Sequence, residues 1–145
     1  MFFYISIYNK LPQNDGLFNQ KFLNFLLLLP WNHANSILGH VDKGETDEMI
    51  TAYRETEEES GLVKSDLKVH QGSKKCLQYL VKNKPKTVVY WLAELINSEA
   101  KVRLSHEHRD FKWLNLDEAC RYGRYEDMQS LLRFYDGYIK ERKLI

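Results

Sequence analysis

The sequence predicts an α/β fold in which a mixed β-sheet is sandwiched between α-helices. Three observations predict it: strand-like runs of aromatic, aliphatic and β-branched residues, an acidic helical segment among them, and an apolar stripe at helical spacing near the end. Strands in the centre, with one helix among them and others after, leave the sheet as the middle layer. The chain has 145 residues and a mass of 17.3 kDa, so one domain over residues 1–145 is expected. A chain of that size buries roughly 70% of its unfolded surface.

Residues 2–8 and 22–29 are apolar runs separated by Pro12, Asn14, Asp15 and Gly16. That turn chemistry predicts two strands, with the second, almost continuously apolar, in the sheet interior. Residues 47–60 favour helix, Thr46 or Asp47 can cap it, and Gly61 stands where it must end. Three strands are expected around 67–71, 76–81 and 87–95, with Lys82-Asn83-Lys84-Pro85-Lys86 as the loop before the last. A short strand over 111–114 then meets Asn115 and Glu118, spaced like a capping box that opens a short helix. Over 125–143, Met128, Leu131, Leu132, Tyr135, Tyr138 and Ile139 form one apolar stripe, and Gly137 weakens that helix locally.

Net charge is +1, so no global field argues for nucleic acid or an anionic surface. Cys76 and Cys120 lack metal-ligand or disulfide-framework spacing, which suits a reducing compartment. The apolar run at 22–30 falls well short of the ~20 residues that span a bilayer. A cytoplasmic monomer without membrane or stable nucleic-acid partners is therefore expected.

Charge is concentrated locally instead. Between Asp42 and Glu59 stand eight acids, Asp42, Glu45, Asp47, Glu48, Glu55, Glu57, Glu58 and Glu59, against Lys43 and Arg54. Helical neighbours lie three and four residues apart, so Glu55, Glu58 and Glu59 share one face. Such a cluster either stays solvated or holds a hard divalent cation, which takes oxygen ligands beside substrate phosphates. Lys74, Lys75, Lys82, Lys84 and Lys86 form an opposite-signed stretch with no acid between Gly72 and Lys86.

The context of the acids decides between those readings. Gly39-His40-Val41-Asp42-Lys43-Gly44-Glu45, followed by Arg54-Glu55-Thr56-Glu57-Glu58-Glu59-Ser60-Gly61-Leu62, resembles the Nudix box. One extra residue separates Glu45 from Arg54, while everything from Arg54 to Leu62 keeps register. Further segments, Tyr79 to Trp91, Leu104-Ser105-His106-Glu107-His108 and Trp113-Leu114, resemble the animal asymmetrical diadenosine tetraphosphate hydrolases among the Nudix enzymes. The likeness runs from Gly39 to about Met128. Before Gly39 this chain reads Trp31-Asn32-His33-Ala34-Asn35-Ser36-Ile37-Leu38, where the family usually has Trp-Thr-Pro-Pro-Lys.

The resemblance implies a Nudix fold and hydrolysis of a dinucleoside polyphosphate, chiefly diadenosine tetraphosphate to ATP and AMP. It implies Mg2+, with Mn2+ as a substitute, held by Glu55, Glu58, Glu59, Glu107 and the Gly39 carbonyl, and an Arg54–Glu45 pair. Glu58 and Glu107 are the candidate general bases, and Glu55 completes the catalytic set. Tyr79 and Tyr125 are implied to stack on adenine, with Tyr138 a third candidate. Lys84, Lys86 and His40 complete the substrate site. Alternatives are another substrate, such as a nucleotide sugar, a capped RNA end or an inositol pyrophosphate, or a Nudix module that binds adenine nucleotides without useful turnover. His106 and His108 have no cysteine at zinc-ligand spacing and are expected to orient Glu107 or its loop.

Overall fold

The computed structural model describes residues 2–12, 21–30, 47–81, 83–122 and 126–144. Five strands, β1 (Phe2–Pro12), β2 (Lys21–Pro30), β3 (Leu67–Val81), β4 (Lys84–Leu95) and β5 (His108–Leu114), form one sheet in the order β3-β4-β1-β2-β5. β4 and β1 run parallel and the other pairs antiparallel, so the sheet is mixed. The apolar β2 lies inside the sheet, between β1 and β5, as its composition predicts.

Helix α1 (Glu48–Ser60) covers one face, while α2 (Leu116–Tyr122) and α3 (Glu126–Glu141) cover the other. Alternation along β4 serves both layers. Val89 and Trp91 pack with Ala52 of α1, and Leu92 packs with Leu131, Leu132, Tyr135 and Ile139 of α3. The α3 stripe read from the sequence is thus the docking face. Among the described residues, no helix is long and apolar enough to cross a membrane.

Several expected boundaries move. β1 runs on to Pro12, which pairs with Lys21 instead of lying in the turn, and β5 begins at His108 rather than 111. Two further shifts have a visible cause. The segments 67–71 and 76–81 are one strand, interrupted by a register shift between His70 and Lys75. Ser73 bridges that bulge: its hydroxyl donates to the His70 carbonyl at 2.5 Å and accepts from the Leu92 amide at 2.7 Å. Tyr135 of α3 adds a 3.0 Å bond to the Ser73 carbonyl. β4 likewise begins at Lys84, so Lys84, Pro85 and Lys86 are strand residues rather than a loop. Asn83 makes the hairpin turn at φ 63°. Pro85 stands opposite Leu80 of β3, one residue from the start of β4, where a proline is tolerated best in a strand.

Candidate active site

Helix α1 is fixed at both ends as its sequence predicts. Asp47 caps it by accepting the Met49 amide at 2.8 Å. Gly61 ends it at φ 74°, donating to the Glu57 carbonyl. A side chain at Gly61 would strain that φ and bring a Cβ within 3.0 Å of Arg103. The close approach matters because the chain after β4 is tied here. The Arg103 amide donates to the Ser60 carbonyl at 2.7 Å, and the Ser105 amide to the Glu59 carbonyl at 3.3 Å. Ser105 then accepts the Glu107 amide at 3.4 Å, which sets Glu107 beside the helix.

Glu59 therefore has the carboxyl groups of Glu55, Glu107 and Glu58 as electrostatic neighbours. Glu55 is buried, at 6% exposure, while Glu58 projects from the same face. Arg54 Nη1 reaches Glu55 Oε1 at 2.7 Å and both Glu58 oxygens at 3.1 Å. Glu59 sits over a small hollow of about 50 Å3 lined by Ile5, Ile7, Leu26 and Leu28. Burial there, reinforced by the charges of Glu55, Glu107 and Glu58, pushes its carboxyl up to about 8. Arg54 offsets two of these four carboxyl groups.

Carboxyl oxygens are the donors that a hard divalent cation takes, and these four carboxyl groups stand on one helix and on the loop tethered to it. Among the described residues no three His, Cys, Asp or Glu side chains are drawn close enough to clasp one ion. Arg54 shares Glu55 and Glu58 in this structure and would have to yield oxygen atoms to the metal.

Comparison with known proteins bears on this geometry. The family model described as NUDIX domain matches residues 19–135. This chain belongs to the Nudix family. It is similar to the rat bis(5'-nucleosyl)-tetraphosphatase [asymmetrical], with 48% identity over 114 residues, 77% of each chain. The Caenorhabditis elegans protein of the same name is 43% identical over 120 residues, covering 81% of this chain and 86% of its own. The crystal structure of a C. elegans Ap4A hydrolase binary complex superposes with a TM-score of 0.81 at 39% identity, covering 96% of both chains. The mixed sheet between helices is therefore the Nudix fold.

Within this Nudix chain the structure gathers Glu55, Glu58, Glu59 and Glu107. Gly39, His40, Glu45 and Tyr125 lie outside the described residues, as do the altered segment 32–38 and the side chain of Tyr79. The backbone of Tyr79 stands in β3 opposite Lys86. Lys84 and Lys86 occupy the side of β4 that carries Tyr90 and Leu92, whereas the glutamate helix covers the other. Lys74 reaches α1, pairing with Glu48 at 2.8 Å. Lys75 instead lies over the Phe134 ring at 3.8 Å.

Tyr138 is a core residue rather than a ligand platform. It is buried against His70 and capped by Arg142 at 3.7 Å. His108 opens β5 directly after Glu107, its ring 3.4 Å from the Ser105 hydroxyl and its basicity lowered by burial. Sequence reasoning missed the Arg54 grip on Glu55 and Glu58, and the role of Ser105. For both, the only signal was proximity: Arg54 stands one and four residues before its partners, and Ser105 two before Glu107.

Proposed function

We propose that this chain is a Mg2+-dependent asymmetrical bis(5'-nucleosyl)-tetraphosphatase that cleaves diadenosine tetraphosphate into ATP and AMP. The observation that carries the reading is the approach of three carboxyl groups, Glu55, Glu107 and Glu58, to a Glu59 whose pKa is pushed up to about 8. Likeness to relatives named for this activity supports the choice of substrate. In the reading, residues 1–145 act as one catalytic unit, a monomer in the cytoplasm, with Mn2+ able to substitute.

Glu55, Glu58, Glu59, Glu107 and the Gly39 carbonyl hold the metal, which supplies charge to the phosphoryl oxygens and acidity to a water. Glu58 or Glu107 takes the proton of the attacking water. Attack at the phosphorus farthest from one adenosine breaks a single anhydride bond and releases ATP and AMP. Tyr79 and Tyr125 stack on adenine, a contact of about 1 to 3 kcal/mol per base. Lys84, Lys86 and His40 balance phosphate charge. The tether from Ser60 and Glu59 to the 103–105 segment keeps Glu107 in reach of the helix.

Incubation with diadenosine tetraphosphate and Mg2+, followed by anion-exchange chromatography, tests the reading. Equal amounts of ATP and AMP are expected. Two equivalents of ADP, or no product, would contradict it.

A further inference from the structure

Of the four site glutamates, three ride on α1, whereas Glu107 stands in the turn that precedes β5. A helix fixes the direction of its side chains through its own periodicity, but a turn residue needs separate bonds. The backbone on both sides of this turn is clamped. The last carbonyls of a helix have no partner within it, and two from α1, those of Glu59 and Ser60, accept the amides of Ser105 and Arg103. Beyond the turn, His108 pairs with Pro30 of β2. These clamps act on the flanks and leave the direction of the Glu107 side chain to the turn itself.

Within the turn, the His108 amide donates to the Ser105 carbonyl at 3.2 Å, closing residues 105–108. The Glu107 amide donates to the Ser105 hydroxyl at 3.4 Å, the bond by which a serine side chain fixes the backbone two residues on. That hydroxyl has one proton and two lone pairs to share. His108 Nδ1 stands 3.4 Å from it. A ring that carries its proton on Nε2 takes the hydroxyl proton at Nδ1, which leaves the lone pairs of Ser105 for the Glu107 amide. His106, in the same turn, is exposed, whereas His108 is half-buried with its ring at Ser105.

We propose that Ser105 is a positioning residue for Glu107, and that His108 sets the rotation of its hydroxyl. The pair turns a tethered loop into a fixed direction for one carboxylate. The proposal rests on the role given to Glu107 as metal ligand or base, and it deepens that role by naming what aims the side chain. A carboxylate displaced by about 1 Å in such a site costs on the order of 100-fold in rate.

The test combines kcat and KM for diadenosine tetraphosphate with hydrogen exchange of the Glu107 amide, followed by 15N NMR on the full chain. Ser105→Ala should lower kcat at least about tenfold, leave KM within about twofold and speed exchange of that amide, whose acceptor is gone. Ser105→Thr keeps a hydroxyl and should restore both. His108→Phe should move kcat and exchange in the same direction by a smaller factor. Adding Ser105→Ala to Glu107→Gln should lower kcat no further than Glu107→Gln alone, because Ser105 acts through Glu107. Wild-type kcat in Ser105→Ala or in Glu107→Gln, no rescue by threonine, or full additivity in the double variant would overturn the proposal. The exchange arm needs neither substrate nor metal. If wild type left diadenosine tetraphosphate intact, the functional reading would fail, while exchange in Ser105→Ala would still decide whether Ser105 holds Glu107, an unchanged rate sinking the proposal by itself.

Discussion

Helices α1 and α3 lie on opposite faces of one sheet and bury different chemistry. α3 seats Leu131, Leu132, Tyr135, Tyr138 and Ile139 against the strands. α1 buries Thr51, Ala52, Glu55, Thr56 and Ser60, small, polar or charged side chains. Two of these satisfy themselves within the helix: Thr56 donates to the Ala52 carbonyl at 2.8 Å and Ser60 to the Thr56 carbonyl at 2.6 Å. Such bonds prevent a loss but add little hydrophobic free energy, and the buried Glu55 carboxylate adds cost. The contrast teaches that α3 supplies apolar core, whereas α1 carries polar and charged groups into the interior at some expense in stability.

The sharpest separation comes from one substitution on each helix. Glu58→Gln on α1 should lower kcat for diadenosine tetraphosphate by at least about 100-fold. Its circular dichroism spectrum and melting temperature should stay near wild type, since Glu58 is exposed. Leu132→Ala on α3 removes a side chain that is 1% exposed and should cost about 2 to 5 kcal/mol in urea unfolding. Activity per folded molecule should be retained. If Leu132→Ala lost kcat while remaining folded, or Glu58→Gln unfolded the chain, the division of labour would fail.

A smaller effect follows from Glu59. Its carboxyl is raised from 4.5 unfolded to about 8 folded, so between those values the folded chain holds the extra proton. Its contribution is present in full below the unfolded value and is lost as pH rises through about 8. Metal-free protein should therefore lose stability from about pH 4.5 to pH 8 through this group, and Glu59→Gln should flatten that part of the profile. Thermal melts across the range in the presence of a chelator give the comparison.

The same contrast explains what the sequence made legible. The caps of α1, the shared face of Glu55, Glu58 and Glu59, and the α3 stripe are local periodicities, and each appears where its spacing puts it. The β3 bulge could not be read locally. Gln71 to Lys75 has the composition of a strand break, and only the Ser73 hydroxyl and Tyr135 from α3 keep the strand continuous. That Lys84, Pro85 and Lys86 join β4 depends on their pairing with Val81, Leu80 and Tyr79 of β3, which local composition does not encode. Glu107 was legible as a motif residue, but its approach to α1 rests on backbone bonds from Arg103 and Ser105 that no side-chain pattern encodes.

The central claim is that the crowded carboxylates of α1 are relieved by a divalent cation, and thermal melting with and without Mg2+ tests it most directly. Wild type and Leu132→Ala should both gain in melting temperature on adding Mg2+, as a ligand specific to the native state requires. The triple variant Glu55→Gln, Glu58→Gln, Glu59→Gln should gain nothing. An equal gain in the triple variant, or none in wild type, would contradict the account.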